Sequence, residues 1–340
     1  MTPTYQIDRW TKASRISVWA CALVLLALCL VPLSGDDSLL SRGVVLFVYI
    51  LLAATWNALA GFAGLMSVGQ QAFFGLGAYF AIRLSDGGVP VFMALGLSSI
   101  VVAALSWPMS FVMLRLKDGE FAIGMWVLAS TCHLLVNLDP LIQGETGTSL
   151  IALNAYDPEL RRQILFLFAL GSAATVLGLL FWLLRSRFGA ALQAIRDDDE
   201  AAGSLGVEVL KTKRLIFVFS TFGAAIAGAL WLGANISFQP KSYFGVQWTA
   251  YMIFMVLVGG IGTFEGAILG AIIFFVIETF FAAFGVWYLI GLGGAAIVFS
   301  LGFPQGVWGA VVQKWDLHLL PIGRRLTLTQ EPKPTHTDER

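Results

Sequence analysis

Charge is what this sequence most lacks. Only 12% of its 340 residues are Asp, Glu, Lys or Arg, its 21 acids balance its 21 bases, and it has three histidines. That balance excludes the basic face of a nucleic-acid-binding protein, so no nucleic-acid partner is expected. Cysteine is equally scarce. Cys21, Cys29 and Cys132 all lie in apolar stretches without metal-ligand spacing or a disulfide framework. They read as small core hydrophobes, and no metal site is expected. Enzyme signatures are missing as well: there is no His-Glu-x-x-His, no Gly-x-Ser-x-Gly and no Gly-x-x-x-x-Gly-Lys-Ser/Thr phosphate loop. The chain is therefore expected to be no enzyme, with no catalytic residue and no cofactor of its own; any ATP would be bound by partner subunits.

What it has in abundance is apolar residue. The chain is 58% hydrophobic with 36 glycines and a mean hydropathy of +0.80, more apolar surface than a soluble domain of this length could bury. It reads as an all-α polytopic membrane protein. A span needs roughly 20 apolar residues, because the backbone must satisfy its own hydrogen bonds across about 30 Å of hydrocarbon. That rule predicts ten spans, near 16–34, 43–60, 70–85, 90–114, 120–138, 163–184, 214–234, 246–260, 264–284 and 286–310. The first run is too long for a signal-peptide core and no Ala-x-Ala site follows it, so it reads as an uncleaved span.

Lysine and arginine bias sets the orientation. Arg9, Lys12, Arg15, Arg115, Lys117, Arg185, Arg187, Arg196, Lys211, Lys213, Arg214 and the tail bases fall on one side, which should be the cytoplasm. The other side carries Arg42, Arg161, Arg162 and Lys241 among a larger set of acids. The organisation expected is a cytoplasmic segment 1–15, a transmembrane domain 16–312 interrupted by a cytoplasmic loop 185–214, and a disordered cytoplasmic tail 313–340.

Two glycine clusters stand out. In "GFAGLMSVGQQAFFGLGAY" Gly64, Ser67 and Gln70 mix glycine with polar groups inside an apolar region; in "GGIGTFEGAILGA" Thr263 and Glu265 do the same. These five residues are the expected pathway-lining set, since irregular backbone at membrane depth persists only where protein or a cavity covers it. In the second cluster Gly262, Gly266 and Gly270 recur every four residues, predicting a helix face for close packing. Ionisable groups at membrane depth are few, namely Glu278, Glu265 and His133, too sparse for a proton relay.

The loop between spans six and seven holds the acidic run "AIRDDDEAA". Phe188, Leu192 and Ile195 recur at helical spacing ahead of it. Asp197, Asp198, Asp199 and Glu200 then precede Ala201, Ala202 and Leu205, where carboxylates cap and favour a new helix that ends near Gly206. A short helix with small residues suits docking into a groove on another protein.

The segment "FGAALQAIRDDDEAAGSLGVEVLKTKRLIFVFSTFGAAIAGAL" resembles the hallmark of the permease subunits of branched-chain amino-acid ABC importers, the LivM type. "GFAGLMSVGQQAFFGLGAY", "LRLKDGEFAIGMWVLAS", "GETGTSL", "VLVGGIGTFEGAILGA" and "FPQGVWG" match the same family in the same order, over roughly residues 40 to 312. Gln71 departs from the histidine frequent at its position, which leaves the solute open. The resemblance implies an ABC importer permease fold and a place in the bacterial inner membrane with both termini cytoplasmic. It implies as partners a homologous LivH-type permease, two cytoplasmic ATPases, a periplasmic solute-binding protein and an amino-acid substrate. By that analogy Arg196, Asp197, Asp198, Asp199, Glu200, Ala201, Ala202 and Gly206 form the ATPase-coupling segment. A permease for urea or short amides, an ion-coupled secondary carrier and a passive channel stay open as alternatives.

Overall fold

The computed structural model describes residues 5–8, 12–303, 305–315, 319 and 325–328, with backbone only at 5–8, 12–14, 34, 315 and 325–328. In chain order the elements are β1 (Tyr5–Asp8), α1 (Lys12–Leu30), α2 (Asp37–Ala63), α3 (Gln71–Asp86), α4 (Val91–Met113), α5 (Asp118–Asn137), β2 (Thr148–Ser149), α6 (Pro158–Arg185), α7 (Arg187–Asp197), α8 (Asp199–Ser204), α9 (Val209–Asn235), β3 (Ser237–Phe238), α10 (Pro240–Tyr243), α11 (Gln247–Gly259), α12 (Phe264–Phe281), α13 (Val286–Gly302), α14 (Gly306–Trp315) and β4 (Arg325–Leu328). The strands are minor: β2 pairs antiparallel with β3, and β1 with β4 in the register Tyr5 opposite Leu328. The architecture is the expected all-α one.

Helix limits follow local chemistry. Asp36 caps α2, its Oδ1 accepting from the N–H groups of Ser38 at 3.0 Å and Leu39 at 3.2 Å. Gly64 ends α2 in the left-handed conformation at φ 71°, which a residue without Cβ adopts freely. Asp157 and Pro158 open α6 in a related way, a cap followed by a residue whose missing N–H needs no partner.

Lipid provides no hydrophobic drive between helices, so small residues decide which helices touch. The two central helices are α2 and α9. On α2 nearly every residue between Val44 and Ala63 is buried, because α6, α9, α11 and α12 surround it. On α9 a Cβ at Gly223 would strike the Thr55 side chain, and one at Gly228 would strike the Phe74 carbonyl, so α2 and α3 lie in close contact with it. By contrast α1 and most of α13 stay on the outside. That placement corrects the expectation for two cysteines: Cys132 is a core residue, whereas Cys21 and Cys29 are exposed on α1, the helix with no buried face.

Among the described residues nine helical segments are long and apolar enough to cross a membrane: Arg15–Leu33, Asp37–Ala63, Val91–Met113, Asp118–Asn137, Pro158–Arg185, Val209–Asn235, Pro240–Gly259, Phe264–Phe284 and Val286–Lys314. The remaining expected span, 70–85, is α3, whose 16 residues reach only about 24 Å at 1.5 Å each. It is not among those nine segments, and non-helical chain leads into it. After Gly64 the backbone turns back along α2, where the Trp56 Nε1–H donates to the Ser67 carbonyl at 2.9 Å, and Ser67 and Gln70 are fully buried before α3 begins. The tail expected to be disordered lies mostly outside the described residues; its described portion includes Arg325–Leu328, the strand β4.

Candidate functional site

The acidic run resolves into four separate tasks. Ser186 caps α7 by accepting from the Phe188 N–H at 3.1 Å, and the buried Leu192 and Ile195 hold that helix against the bundle. Asp198, in extended conformation, breaks the chain and caps α8, its Oδ1 accepting from Glu200 N at 2.9 Å and Ala201 N at 3.0 Å. Asp199 forms an ion pair with Lys213, tying α8 to α9. Asp197 accepts from Arg196 at 3.1 Å, while Glu200 is exposed without an ion pair among the described residues.

Arg196 is the inward link. Its Nη1 donates to the Gly61 carbonyl at 3.1 Å, and its stem lies along Gly64, where a Cβ would come within 3.5 Å of the arginine Cα. The same spot receives the second glycine cluster. Asn57 on α2 donates from Nδ2 to the Thr263 carbonyl at 2.8 Å and accepts on Oδ1 from the Gly262 N–H at 2.9 Å. Gly262, at φ +74°, leaves room for Arg196, whose Nη1 would sit 3.1 Å from an added Cβ. Gly306, at the start of α14, lies against Gly259 and Gly260. Four separated motifs thus meet at the end of α2 nearest α7 and α8.

Beyond this junction a polar thread continues into the bundle. Gln70 donates from Nε2 to Ser220 Oγ at 2.8 Å, Ser220 donates to the Thr55 carbonyl at 2.7 Å, and Thr249 donates to Gln71 Oε1. The Gln70 Oε1 is buried without a partner among the described residues. These bonds link α2, α3, α9 and α11 where hydrocarbon would otherwise leave polar groups unpaired.

The opposite end of α3 is pinned too. Arg83 bonds Asp139 at 2.8 Å, and Tyr79 donates to the same carboxylate at 2.7 Å. Burial alone would raise the Asp139 carboxyl, but hydrogen bonds from Tyr79 and the Leu141 N–H, with the Arg83 charge, outweigh it and hold the carboxyl below its ordinary value. Nearby, Glu145 contacts His133 at 2.9 Å and accepts from the Lys241 N–H at 3.1 Å. Glu278, at membrane depth, accepts from the Tyr49 hydroxyl at 2.6 Å. Among the described residues no group of three His, Cys, Asp or Glu forms a metal site.

The structure places several of the expected site residues differently from their sequence pattern. Ala202, expected on the docking face, is only 2% exposed and packs inward, while Ala201, Gly203, Ser204, Leu205 and Gly206 are exposed, Leu205 at 84%. The reason is phase: Asp198 starts α8 so that Ala202 falls on the side tethered by Lys213. Gly262 is not part of the helix face with Gly266 and Gly270, because α12 begins at Phe264 and Gly262 belongs to the turn before it. Gly266 and Gly270 pack on α11 of the same chain, where added Cβ atoms would meet the Gly259 and Met255 carbonyls. Ser67 and Gln70 are buried among helices, whereas Gly64 is exposed and Thr263 and Glu265 are half-buried. The sequence did not reveal the roles of Asn57, Gly61, Lys213 and Leu205 at this junction. Of these only Asn57 left a signal, a lone amide in an otherwise apolar run.

Comparison with known proteins identifies the family. The family described as branched-chain amino acid transport system / permease component matches residues 39–301. The high-affinity branched-chain amino acid transport system permease protein LivM of Salmonella typhimurium is 27% identical over 317 residues, covering 84% of this chain and 74% of that protein. LivM of Escherichia coli is 27% identical over 301 residues, covering 79% and 71%. The permease protein BraD of Pseudomonas aeruginosa is 25% identical over 286 residues, covering 77% and 91%. No solved structure matches. With the match spanning the helical core and the junction alike, this chain belongs to the permease component family of branched-chain amino acid transport systems.

Proposed function

We propose that this chain forms half of the translocation pathway of an ABC importer for branched-chain or related amino acids in the bacterial inner membrane, working with a homologous LivH-type permease, two cytoplasmic ATPases and a periplasmic binding protein. As a member of a transport permease family it is a multi-pass membrane protein and not an enzyme. The observation that carries the reading is the link from α8 to the bundle. Asp199 joins α8 to α9 through Lys213, and Arg196 joins α7 to α2 through the Gly61 carbonyl. A partner that displaces α8 therefore pulls on both central helices at once.

In this reading Glu200, Ala201, Leu205 and Gly206 meet the ATPase, while Arg196, Asp197, Asp198, Asp199 and Ala202 hold the helix pair on the bundle. Gly64, Thr263 and Glu265 border the inner end of the pathway. Ser67 and Gln70 relay movement within the bundle and contact no solute in this conformation. The antiparallel pairing of β1 with β4 supports termini on one side of the membrane, which needs an even number of crossings; we assign a tenth crossing to α3 with the chain that leads into it, beside the nine long segments.

The test is Leu205→Glu. A charge at the exposed tip should weaken ATPase co-purification about tenfold or more, as loss of an interface anchor does, and abolish solute-stimulated ATP hydrolysis in proteoliposomes without lowering yield of the membrane domain. A complex that keeps its ATPases and full stimulated turnover would overturn the coupling assignment. Orientation is checked with Thr146→Cys, expected to react with an impermeant thiol reagent from outside, and Ser204→Cys, expected not to. Gly147 is unsuitable there, because a Cβ would strike the Phe238 carbonyl and φ is +78°.

A further inference from the structure

Between α4 and α6, floored by α9, runs an apolar furrow in two parts. The part nearer α7 has a volume of about 580 Å³ and is lined by Trp182, Leu183, Phe188, Leu215, Val218 and Phe222 among others. The second, of about 450 Å³, is lined by residues including Phe92, Met93, Ile100, Phe168 and Ile226, and shares Phe222 with the first. The furrow therefore extends along about 16 Å of α9, from Leu215 to Ile226 at 1.5 Å per residue.

We propose that this furrow holds the acyl chains of an anionic phospholipid whose phosphate is bound by Arg187 and Arg214. Both arginines stand at its α7 end. Arg187 lies between Ser186 and Phe188, which line the furrow; it is exposed and has no ion pair among the described residues. Arg214 precedes Leu215. Its guanidinium lies 3.8 Å over the Phe111 ring and 5.5 Å from that of Trp107, and its Nε donates to Ser110 Oγ at 3.1 Å. It too has no carboxylate partner among the described residues. A cation laid on aromatic rings at a helix end is held at headgroup depth, where anionic lipids attract it. Trp182 and Trp107, both exposed, lie within two turns of the ends of α6 and α4.

The walls argue for a flexible chain over a partner helix. Helix contacts inside this protein depend on glycine against backbone, as at Gly77 and Gly228. The furrow offers instead bulky, separated rings at Trp182, Phe188, Phe168 and Phe222, whose gaps a rigid helix cannot enter and an acyl chain can. The assignment of the phosphate to the cytoplasmic leaflet rests on the proposed orientation.

The test uses the full chain purified in its complex, stripped of lipid in detergent and resupplied with phosphatidylglycerol or phosphatidylcholine of matched chains. Native mass spectrometry counts retained lipid, and thermal unfolding reads protection. Phosphatidylglycerol should bind about tenfold tighter, as expected for two arginines near an anionic headgroup. Arg187→Gln with Arg214→Gln should reduce it to the phosphatidylcholine level, and Val218→Trp should reduce retention of both lipids. If the Arg214 change prevents folding, the exposed Arg187→Gln decides alone. Equal retention of the two lipids, no effect of Arg187→Gln, or equal protection by inorganic phosphate would overturn the headgroup site. Crosslinking of Val218→Cys to a partner permease would replace the lipid with a protein interface. None of these readouts depends on ATPase coupling, so their failure is distinct from failure of the transport reading.

Discussion

The two glycine clusters are alike in composition but differ in what their helical glycines pack against. In the first, a Cβ at Gly69 would strike the Met125 carbonyl, one at Gly75 would lie 2.6 Å from the Phe244 ring, and one at Gly77 would strike the Ala225 carbonyl. This cluster wedges α3 among helices far away in sequence. In the second, Gly259 and Gly266 approach each other and Gly270 approaches Met255, so it closes a hairpin of neighbouring helices, α11 and α12. Glycine permits close approach in both. What differs is whether the approach assembles the bundle or shapes one turn beside the coupling helices.

A pair of leucine substitutions separates these roles directly. Gly77→Leu drives a branched side chain into the α9 backbone and should leave no monodisperse protein after detergent extraction. Gly266→Leu overpacks one hairpin at a cost of roughly 1–3 kcal/mol, so it should yield folded protein with a lower unfolding temperature. Equal losses in the two variants would erase the distinction.

Asn57 offers a sharper test of the second cluster. Asn57→Leu leaves the Gly262 N–H and Thr263 carbonyl without their partner; both are only half-buried, so the cost lies at or below about 1 kcal/mol for each. The fold should survive while stimulated ATP hydrolysis falls, because the turn loses its tie to α2. Wild-type turnover in this variant would show that the junction is structural only.

A milder change is expected at the far end of α3. Asp139 is held below its ordinary value in the folded state, so its contribution is present above the unfolded carboxylate range of about 3.9 and is lost as pH falls through the folded value. Asp139→Asn should lower the unfolding temperature slightly near neutral pH and flatten its decline below about pH 4. An acid-side profile identical to wild type would remove Asp139 as the pin of α3.

Most spans were legible because hydrocarbon forces a long apolar run on any helix that crosses it. In α3 the apolar run at 70–85 was legible, but not that its helix is only 16 residues long and is led into by non-helical chain at Gly64–Gln70. The cap role of the acidic run was legible in the same way, since Asp198 needs only its own neighbours to satisfy the first N–H groups of α8. The distribution of tasks was not. That Asp199 reaches Lys213 and Arg196 reaches Gly61 depends on which helices lie beside the loop.

Local rules of solvation, spacing and capping were enough to make this chain a bundle of membrane-spanning helices with glycine-rich close contacts and a capped helix pair in one long loop. Those rules act between near neighbours, so they can be read from the residues alone. Long-range packing settled the rest: which surfaces the small residues touch, that Ala202 faces inward while Leu205 faces out, and that Asn57, Arg196 and Gly262 meet at one junction. Periodicity states that a face is small or polar. The identity of its neighbour is set when the chain folds back on itself, here joining residues 135 and 205 positions apart.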